Sequence, residues 1–289
     1  MFSKILVPVD FSDESDRVIK YVTGLKTFGL KEITLIHVVD VGRAVVWPLP
    51  GKLTGAIEAR LEERRAQLEK DGFAAKTVLT EGRPSDEVLT QAATGKHTLI
   101  VTGSHGKTLL EEILLGSVSE SVSREAKIPV LLVRYDVLKD IEQTMPLAQY
   151  ALNTFKRVLL TSDFSKASDD AQAVVRKLKK AGLKEVVSLH ISNIKQMETE
   201  QEKIEKMDSC QLENAKVAKE LTRAGFEVRA VCRAGDPLAE ILSVADEVDA
   251  SLIVMGSHKK GVLKEWLVGS VSLNVIRTAD RPTLVVHRG

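Results

Sequence analysis

The chain has 289 residues, 44% of them hydrophobic, which is enough to build sizeable cores in about two domains. Its 41 basic and 40 acidic residues leave a formal net charge of only +1, so we expect neither nucleic acid nor an anionic membrane as a partner. No apolar run approaches the roughly 20 residues of a membrane span, and the first apolar run is too short for a signal peptide. These features predict a soluble, cytoplasmic protein whose two cysteines, Cys210 and Cys232, are separate reduced thiols.

Five short apolar runs in the first half predict β-strands, and they lie at 4–9, 33–39, 75–82, 97–104 and 129–135. Helices are predicted between them, over 18–25, over 56–70, from 84 onward and near 117–126. The strands are apolar throughout instead of alternating between apolar and polar residues. That pattern is typical of a parallel sheet covered by helices on both faces.

The second half of the chain repeats the first at a constant offset of 153 residues. The tripeptide Asp-Phe-Ser at 10–12 recurs at 163–165. Within 101–122, 13 of 22 positions are identical to those in 254–275. A repeat of this length is far longer than that of a solenoid protein, so each copy is a whole domain. We predict domains at 1–135 and 154–289, with a partly helical linker at 136–153.

Each domain is predicted to be a doubly wound α/β unit, with a five-stranded parallel sheet in the order 3-2-1-4-5 flanked by helices. Ligands of such sheets bind beyond the carboxyl ends of the strands, where the strand order reverses. Here the reversal falls between strands one and four. Asp10 follows strand one and Gly103 ends strand four, so we expect both residues at one crevice.

The segment "GSHGKTLLEEILLGSVSESV" at 103–122 has the chemistry of a phosphate site. Gly103 and Gly106 allow a sharp turn and a close approach of a ligand to the backbone. Gly116 and Ser117 then open a helix, whose free N–H groups and macrodipole favour an anion. Asp10 is suited to accept a hydrogen bond from a ribose or base, or to meet a metal ion on the phosphates. Together these residues predict a nucleotide site.

The same motifs resemble the ATP-binding class of the universal stress protein family, whose domain is of the adenine nucleotide alpha hydrolase-like, Rossmann-like type. The resemblance rests on "PVDFS", "VTGSHGKTLLEEILLGSVSESV" and "IPVLLV", and it covers both halves, as in a tandem member of the family. It implies binding of ATP, ADP or AMP in a stress response, with Mg²⁺ held through the phosphates. The residues implied in the first copy are Pro8, Val9, Asp10, Val39, Gly103, His105, Gly106, Gly116, Ser117, Val118 and Ser119. Those implied in the second are Asp163, Gly256, His258, Gly269, Ser270, Val271 and Ser272.

The resemblance also implies an assembly. The family dimerises through its last strand, so a tandem chain is expected to pair 130–134 with 283–287 internally. A homodimer of tandem chains is expected as well.

Two other functional classes are compared with nucleotide binding, a P-loop protein and a slow ATP hydrolase. The segment ends in Gly-Lys-Thr like a P-loop, but Val101 replaces the leading glycine, which argues against that class. A slow ATP hydrolase stays open as an alternative, although the sequence offers no clear catalytic residue. The histidines, among them His37 and His190, have no cysteine or carboxylate at metal-ligand spacing, so no metal site is predicted.

The two sites are expected to differ. In the second copy Pro8-Val9 becomes Thr161-Ser162, and Gly106 becomes Lys259. We therefore predict that the first site binds ATP more tightly than the second.

Overall fold

We describe the fold from a computed structural model of the chain. The structure describes residues 2–42, 51–104, 116–192, 199–257 and 270–287, without the side chains of residues 51 and 52. The chain divides into two compact units, Met1–Leu152 and Asn153–Gly289. Each unit is described by itself.

The first unit is a parallel sheet covered by helices. Its strands are β1 (Lys4–Pro8), β2 (Glu32–Asp40), β3 (Ala74–Gly82), β4 (Leu99–Ser104) and β5 (Val130–Arg134), in the spatial order β3-β2-β1-β4-β5. Its helices are α1 (Asp13–Thr23), α2 (Gly51–Lys70), α3 (Pro84–Thr94), α4 (Ser117–Glu125), α5 (Tyr135–Glu142) and α6 (Leu147–Asn153), and a short 3-10 helix (Gly24–Phe28) extends α1. The neighbouring strands are parallel in every pair.

The second unit repeats this arrangement. Its strands are β6 (Arg157–Thr161), β7 (Glu185–Ser192), β8 (Glu227–Ala234), β9 (Leu252–Ser257) and β10 (Thr283–His287), in the order β8-β7-β6-β9-β10, and all pairs are parallel. Its helices are α7 (Lys166–Leu178), α8 (Glu200–Arg223), α9 (Pro237–Glu247) and α10 (Ser270–Thr278), with a 3-10 turn at Lys179–Ala181.

The predicted fold class, two five-stranded parallel α/β units, is confirmed. The cause is the apolar character of the central strands: every residue of β4 is buried, as is every residue of β10. Helices on both faces of each sheet remove these side chains from water, which stabilises each unit through the hydrophobic effect. Among the described residues, none of the helices combines the length and apolar character that a membrane crossing requires.

Residues 136–153, predicted as a partly helical linker, form most of α5 and all of α6. Most of this segment belongs to the first compact unit. α5 is fixed on α1 because Glu142 accepts hydrogen bonds from Arg17 Nε at 2.8 Å and from Lys20 Nζ at 2.6 Å. The Leu138 side chain of α5 is buried as well.

The cysteines are not separate thiols as predicted, because the structure joins Cys210 to Cys232 in a disulfide. Position 210 lies on α8 and position 232 on β8, and packing of this helix over the strand brings their Cα atoms to 6.5 Å. That separation is within the range that a disulfide spans. The repeat could not predict this pair, because the residues that match the two cysteines in the first half are Ile57 and Leu79.

Candidate functional site

A pocket of about 180 Å³ lies in the first unit at the reversal of strand order, where β1 and β4 end. Ligands of doubly wound sheets bind at this position. The lining residues come from β1, β2 and β4 at or just beyond their carboxyl ends, and from the beginnings of α1, α3, α4 and α5. They are Pro8, Val9, Asp10, Ser15, Ile36, His37, Val38, Pro84, Val88, Thr102, Val118, Ser119 and Tyr135.

The turn after β1 holds Asp10 in a fixed position. Its Oδ1 accepts hydrogen bonds from the Ser12 amide at 3.0 Å and from the Ser12 hydroxyl at 2.5 Å. The Ser12 hydroxyl in turn accepts from the Ser15 amide at 3.1 Å, which caps α1. Desolvation tends to raise the pKa of Asp10, but the hydrogen bonds from Ser12 and Ser15 outweigh it and hold that pKa below its ordinary value. Asp10 is therefore a carboxylate at neutral pH.

Phe11 follows Asp10 with a φ of +64°, in the left-handed region that a bulky side chain rarely adopts. The centroid of its ring lies 4.5 Å from that of the His37 ring, and the guanidinium carbon of Arg60 lies 4.4 Å from the centroid of the Phe11 ring. Backbone strain of this kind persists where the surroundings fix the conformation, and it is common at functional sites. The second unit repeats it, since Phe164 has a φ of +59° and stacks on His190.

His37 closes the same turn from β2. Its Nδ1 lies 2.8 Å from the carbonyl oxygen of Val9, so Nδ1 carries the proton and donates it. Burial lowers the pKa of His37 despite this hydrogen bond and the nearby charge of Asp10. The ring is therefore neutral at physiological pH, with Nε2 as a hydrogen-bond acceptor.

Ser119 joins the beginning of α4 to the end of β4. Its hydroxyl donates to the carbonyl of Gly103 at 2.6 Å and accepts from Thr102 Oγ1 at 3.0 Å. The hydroxyl of Ser123, one turn further along, donates to the Ser119 carbonyl at 2.6 Å. These buried hydrogen bonds fix the N-terminus of α4 against the edge of the sheet.

The N-terminus of α4 offers backbone donors to a ligand. Gly116 is the residue before the helix, and among the described side chains none caps its first N–H groups. α1 and α7 differ in this respect, since Ser12 and Ser165 cap them. Uncapped N–H groups together with the helix dipole favour an anion at this end of α4. Ser117, at the first helical position, is exposed beside them.

The second unit contains a pocket of about 240 Å³ at the equivalent position. Eleven of the thirteen residues that line each pocket correspond when 153 is added to the first-unit number. The correspondence includes Asp10 with Asp163, whose Oδ1 accepts a hydrogen bond from Ser168 at 2.6 Å. It also includes one replacement that removes a hydroxyl, Thr102 by Met255. The duplication therefore preserves the pocket, with altered walls.

The structure brings together Pro8, Val9, Asp10, Val118 and Ser119, all predicted ligand contacts, as lining residues. In the second pocket the predicted residues that line the wall are Asp163, Gly256, Ser270, Val271 and Ser272. Gly103, Gly116 and Ser117 are not among the lining residues of the first pocket, but each is adjacent in the chain to a lining residue or to the beginning of α4. His105, Gly106, His258 and Gly269 lie outside the described residues, as does Lys259. On β2 the pocket is lined by Val38, whereas Val39 is not among the lining residues.

Eight of the thirteen lining residues of the first pocket were not predicted from the sequence, and Ser15 and Tyr135 differ in whether the repeat could have revealed them. Ser15 and its counterpart Ser168 could have been found, because the same serine stands at the 153-residue offset. Tyr135 could not, because the matching position is Arg288 and the repeat gives no signal there. Within the described ranges, no group of three or more His, Cys, Asp or Glu side chains is arranged to hold a metal ion.

Comparison with known proteins agrees with this arrangement. The profile of the Universal stress protein family matches residues 1–134 and again 154–287. A universal stress protein of Mycolicibacterium smegmatis is 27% identical over 98% of this chain and 96% of its own length. The universal stress protein MJ0577 of Methanocaldococcus jannaschii is 34% identical over 46% of this chain and 96% of its own length.

Solved structures agree as well. The crystal structure of a universal stress protein from Archaeoglobus fulgidus covers 100% of both chains, with a TM-score of 0.79 and 26% identity. The chain belongs to the universal stress protein family and contains two copies of its domain.

Proposed function

We propose that the chain is a stress-response regulatory protein that binds an adenine nucleotide, ATP, ADP or AMP, in each of its two pockets. The observation that supports this most directly is the preservation of the pocket between the units at eleven of thirteen lining positions. The resemblance to the ATP-binding class of the family supplies the identity of the ligand.

One end of the first pocket suits a nucleoside. Pro8, Val9, Ile36 and Val38 give it apolar walls on which a base can pack. The carboxylate of Asp10 accepts hydrogen bonds only, which suits a ribose hydroxyl or the amino group of adenine.

The other end suits phosphates. The first N–H groups of α4 have no side-chain cap among the described residues, and the Ser117 hydroxyl lies beside them. By resemblance, His105 and Gly106 complete this end, and Mg²⁺ binds through the phosphates. The anion is thus held by backbone donors and the helix dipole.

The pocket supports binding better than turnover. Asp10 is the carboxylate among the lining residues, and its Oδ1 already accepts two hydrogen bonds from Ser12. Among the residues that the structure describes, neither a second carboxylate nor an arginine lines the first pocket. Slow ATP hydrolysis in the same pocket is the alternative, and it predicts steady phosphate release that is lost on Gly116→Ala.

Calorimetric titration with ATP tests the proposal. Val118→Trp fills the first pocket and Val271→Trp fills the second, because these matched residues line the two walls. We expect two sites in the unmodified chain, one in each variant and none in the double variant, with the tighter site lost in Val118→Trp. Two sites that survive both substitutions would place the nucleotide elsewhere, and equal affinities would contradict the predicted order.

The resemblance also supports an assembly. We propose that residues 130–134 pair with residues 283–287 within one chain and that tandem chains form a homodimer in the cytoplasm. Light scattering on a sizing column should give twice the mass of one chain, and a monomer mass at micromolar concentration would contradict the homodimer.

A further inference from the structure

Tyr135 is a residue of the first pocket to which the family resemblance assigns no role. It is the first residue of α5, directly after β5, and its side chain is half-buried. It lines the pocket together with Asp10 from the end of β1 and Ser119 from the beginning of α4. The ring therefore forms part of the pocket wall.

The ring packs directly against the backbone at the end of β4. A Cβ atom on Gly103 would lie 1.9 Å from Cε1 of Tyr135 and 2.2 Å from Cζ, which is far closer than atoms can approach. Gly103 is thus needed to admit this ring, a reason that lies within the protein itself. Tyr135 consequently stands beside Gly103, one of the residues that the resemblance implies for the nucleotide site.

The backbone that carries Tyr135 is fixed on both sides. Arg134 and Asp136, its two neighbours, form an ion pair. At the far end of α5, Glu142 accepts hydrogen bonds from Arg17 and Lys20 of α1. A side chain held in this way loses little conformational entropy when a ligand packs against it.

The Tyr135 phenol carries no charge, so it does not repel an anionic ligand. Burial raises the pKa of Tyr135, and the nearby negative charges of Asp10 and Glu14 raise it further. The ring thus adds apolar contact area to the wall without adding a negative charge.

The second pocket is built differently at this point. The position that matches Tyr135 is Arg288 in the sequence and lies outside the described residues. A Cβ on Gly256, the counterpart of Gly103, would meet the carbonyl oxygen of Ala167 at 2.3 Å, so the backbone of α7 lies there. The two glycines are therefore required by different neighbours.

We propose that Tyr135 is a nucleotide-contact residue specific to the first pocket, where its ring packs against the bound nucleotide and makes this pocket the tighter of the two. The inference rests on the proposed nucleotide function. It goes beyond it by assigning the difference in affinity to a residue outside the repeated motifs.

The test measures ATP binding by calorimetry at one pocket at a time. Val271→Trp fills the second pocket, so only the first can bind ATP, and Val118→Trp fills the first, so only the second can bind it. In the Val271→Trp background, Tyr135→Ala should weaken ATP binding about tenfold, the effect of removing a well-packed aromatic contact. Tyr135→Phe keeps the ring and should stay within about twofold.

Matched controls separate contact from folding. Tyr150→Ala removes a tyrosine of α6 that packs near Tyr21, with ring centroids 6.0 Å apart, outside the pocket, and it should leave both affinities unchanged. In the Val118→Trp background, Tyr135→Ala should leave the second pocket unchanged, which also reports that the chain is folded. If Tyr135→Ala does not fold, Tyr135→Leu keeps apolar bulk and should still weaken the first pocket severalfold.

The outcomes distinguish the two proposals. Unchanged or tighter ATP binding at the first pocket in Tyr135→Ala and Tyr135→Leu overturns the inference and leaves the proposed function standing. Absence of ATP binding in the unmodified chain overturns both. Equal weakening at both pockets also overturns the inference, because it shows a general loss of structure instead of a contact.

Discussion

Reduction of the Cys210–Cys232 disulfide should destabilise the second unit measurably. The bond closes a segment with a sequence separation of 22 residues between α8 and β8. A loop of this length restricts the unfolded chain by about 3 kcal/mol on the chain-entropy estimate. For a unit of this size that corresponds to a fall in Tm of about 10 °C. Cys210 is only 3% exposed, so the folded protein should be reduced slowly.

The assay is differential scanning calorimetry with and without dithiothreitol, after mass spectrometry of a non-reduced digest has shown the linked peptides. The double substitution Cys210→Ala with Cys232→Ala is the control, since its Tm should be low already and insensitive to dithiothreitol. An unchanged Tm on full reduction of the unmodified chain would refute the reasoning, and a digest with two free thiols would refute the bond itself.

Three further predictions concern stability. Burial lowers the pKa of His97, so the folded state disfavours protonation of this ring. The free energy of unfolding should therefore decrease as the pH falls through the ordinary histidine pKa of about 6.5, because the unfolded chain then binds a proton that the folded chain does not. His97→Gln should flatten the fall in Tm between pH 7 and pH 5. Gly103→Ala should destabilise the first unit by about 2 kcal/mol in urea unfolding, whereas Gly55→Ala, inside α2 with open space around its Cβ, should stabilise it slightly. Asn214→Ala should cost about 3 kcal/mol in the same assay because its buried amide bonds the Ser188 side chain and carbonyl, and an effect below about 1 kcal/mol would contradict that role.

The sequence was sufficient to predict the sheet and the place of the pocket. Apolar runs predicted all ten strands through the repeat, and the Asp-Phe-Ser turn and the Gly-Ser helix start were predicted to meet where the strand order reverses. Both features are local in the chain, so spacing alone reveals them. The lining of both pockets by Asp10, Ser119 and their counterparts follows from that geometry.

The sequence repeat does not reveal contacts between segments that lie far apart in the chain. Tyr135 follows β5 directly and packs on Gly103 at the end of β4, and the second copy has no tyrosine to suggest it. The disulfide depends on the packing of α8 over β8, which single-sequence patterns do not specify. The repeat therefore predicted what the two units share, and the structure was needed for what distinguishes them.

The most direct test of the central claim is the identity of the small molecule that copurifies with the protein. The chain is purified without added nucleotide and denatured, and the released molecules are identified by mass spectrometry, with the Val118→Trp and Val271→Trp double variant purified in parallel. The account predicts an adenine nucleotide from the unmodified chain and its loss from the double variant. The same amount of nucleotide from both proteins, or none from the unmodified chain even after incubation with ATP, would contradict it.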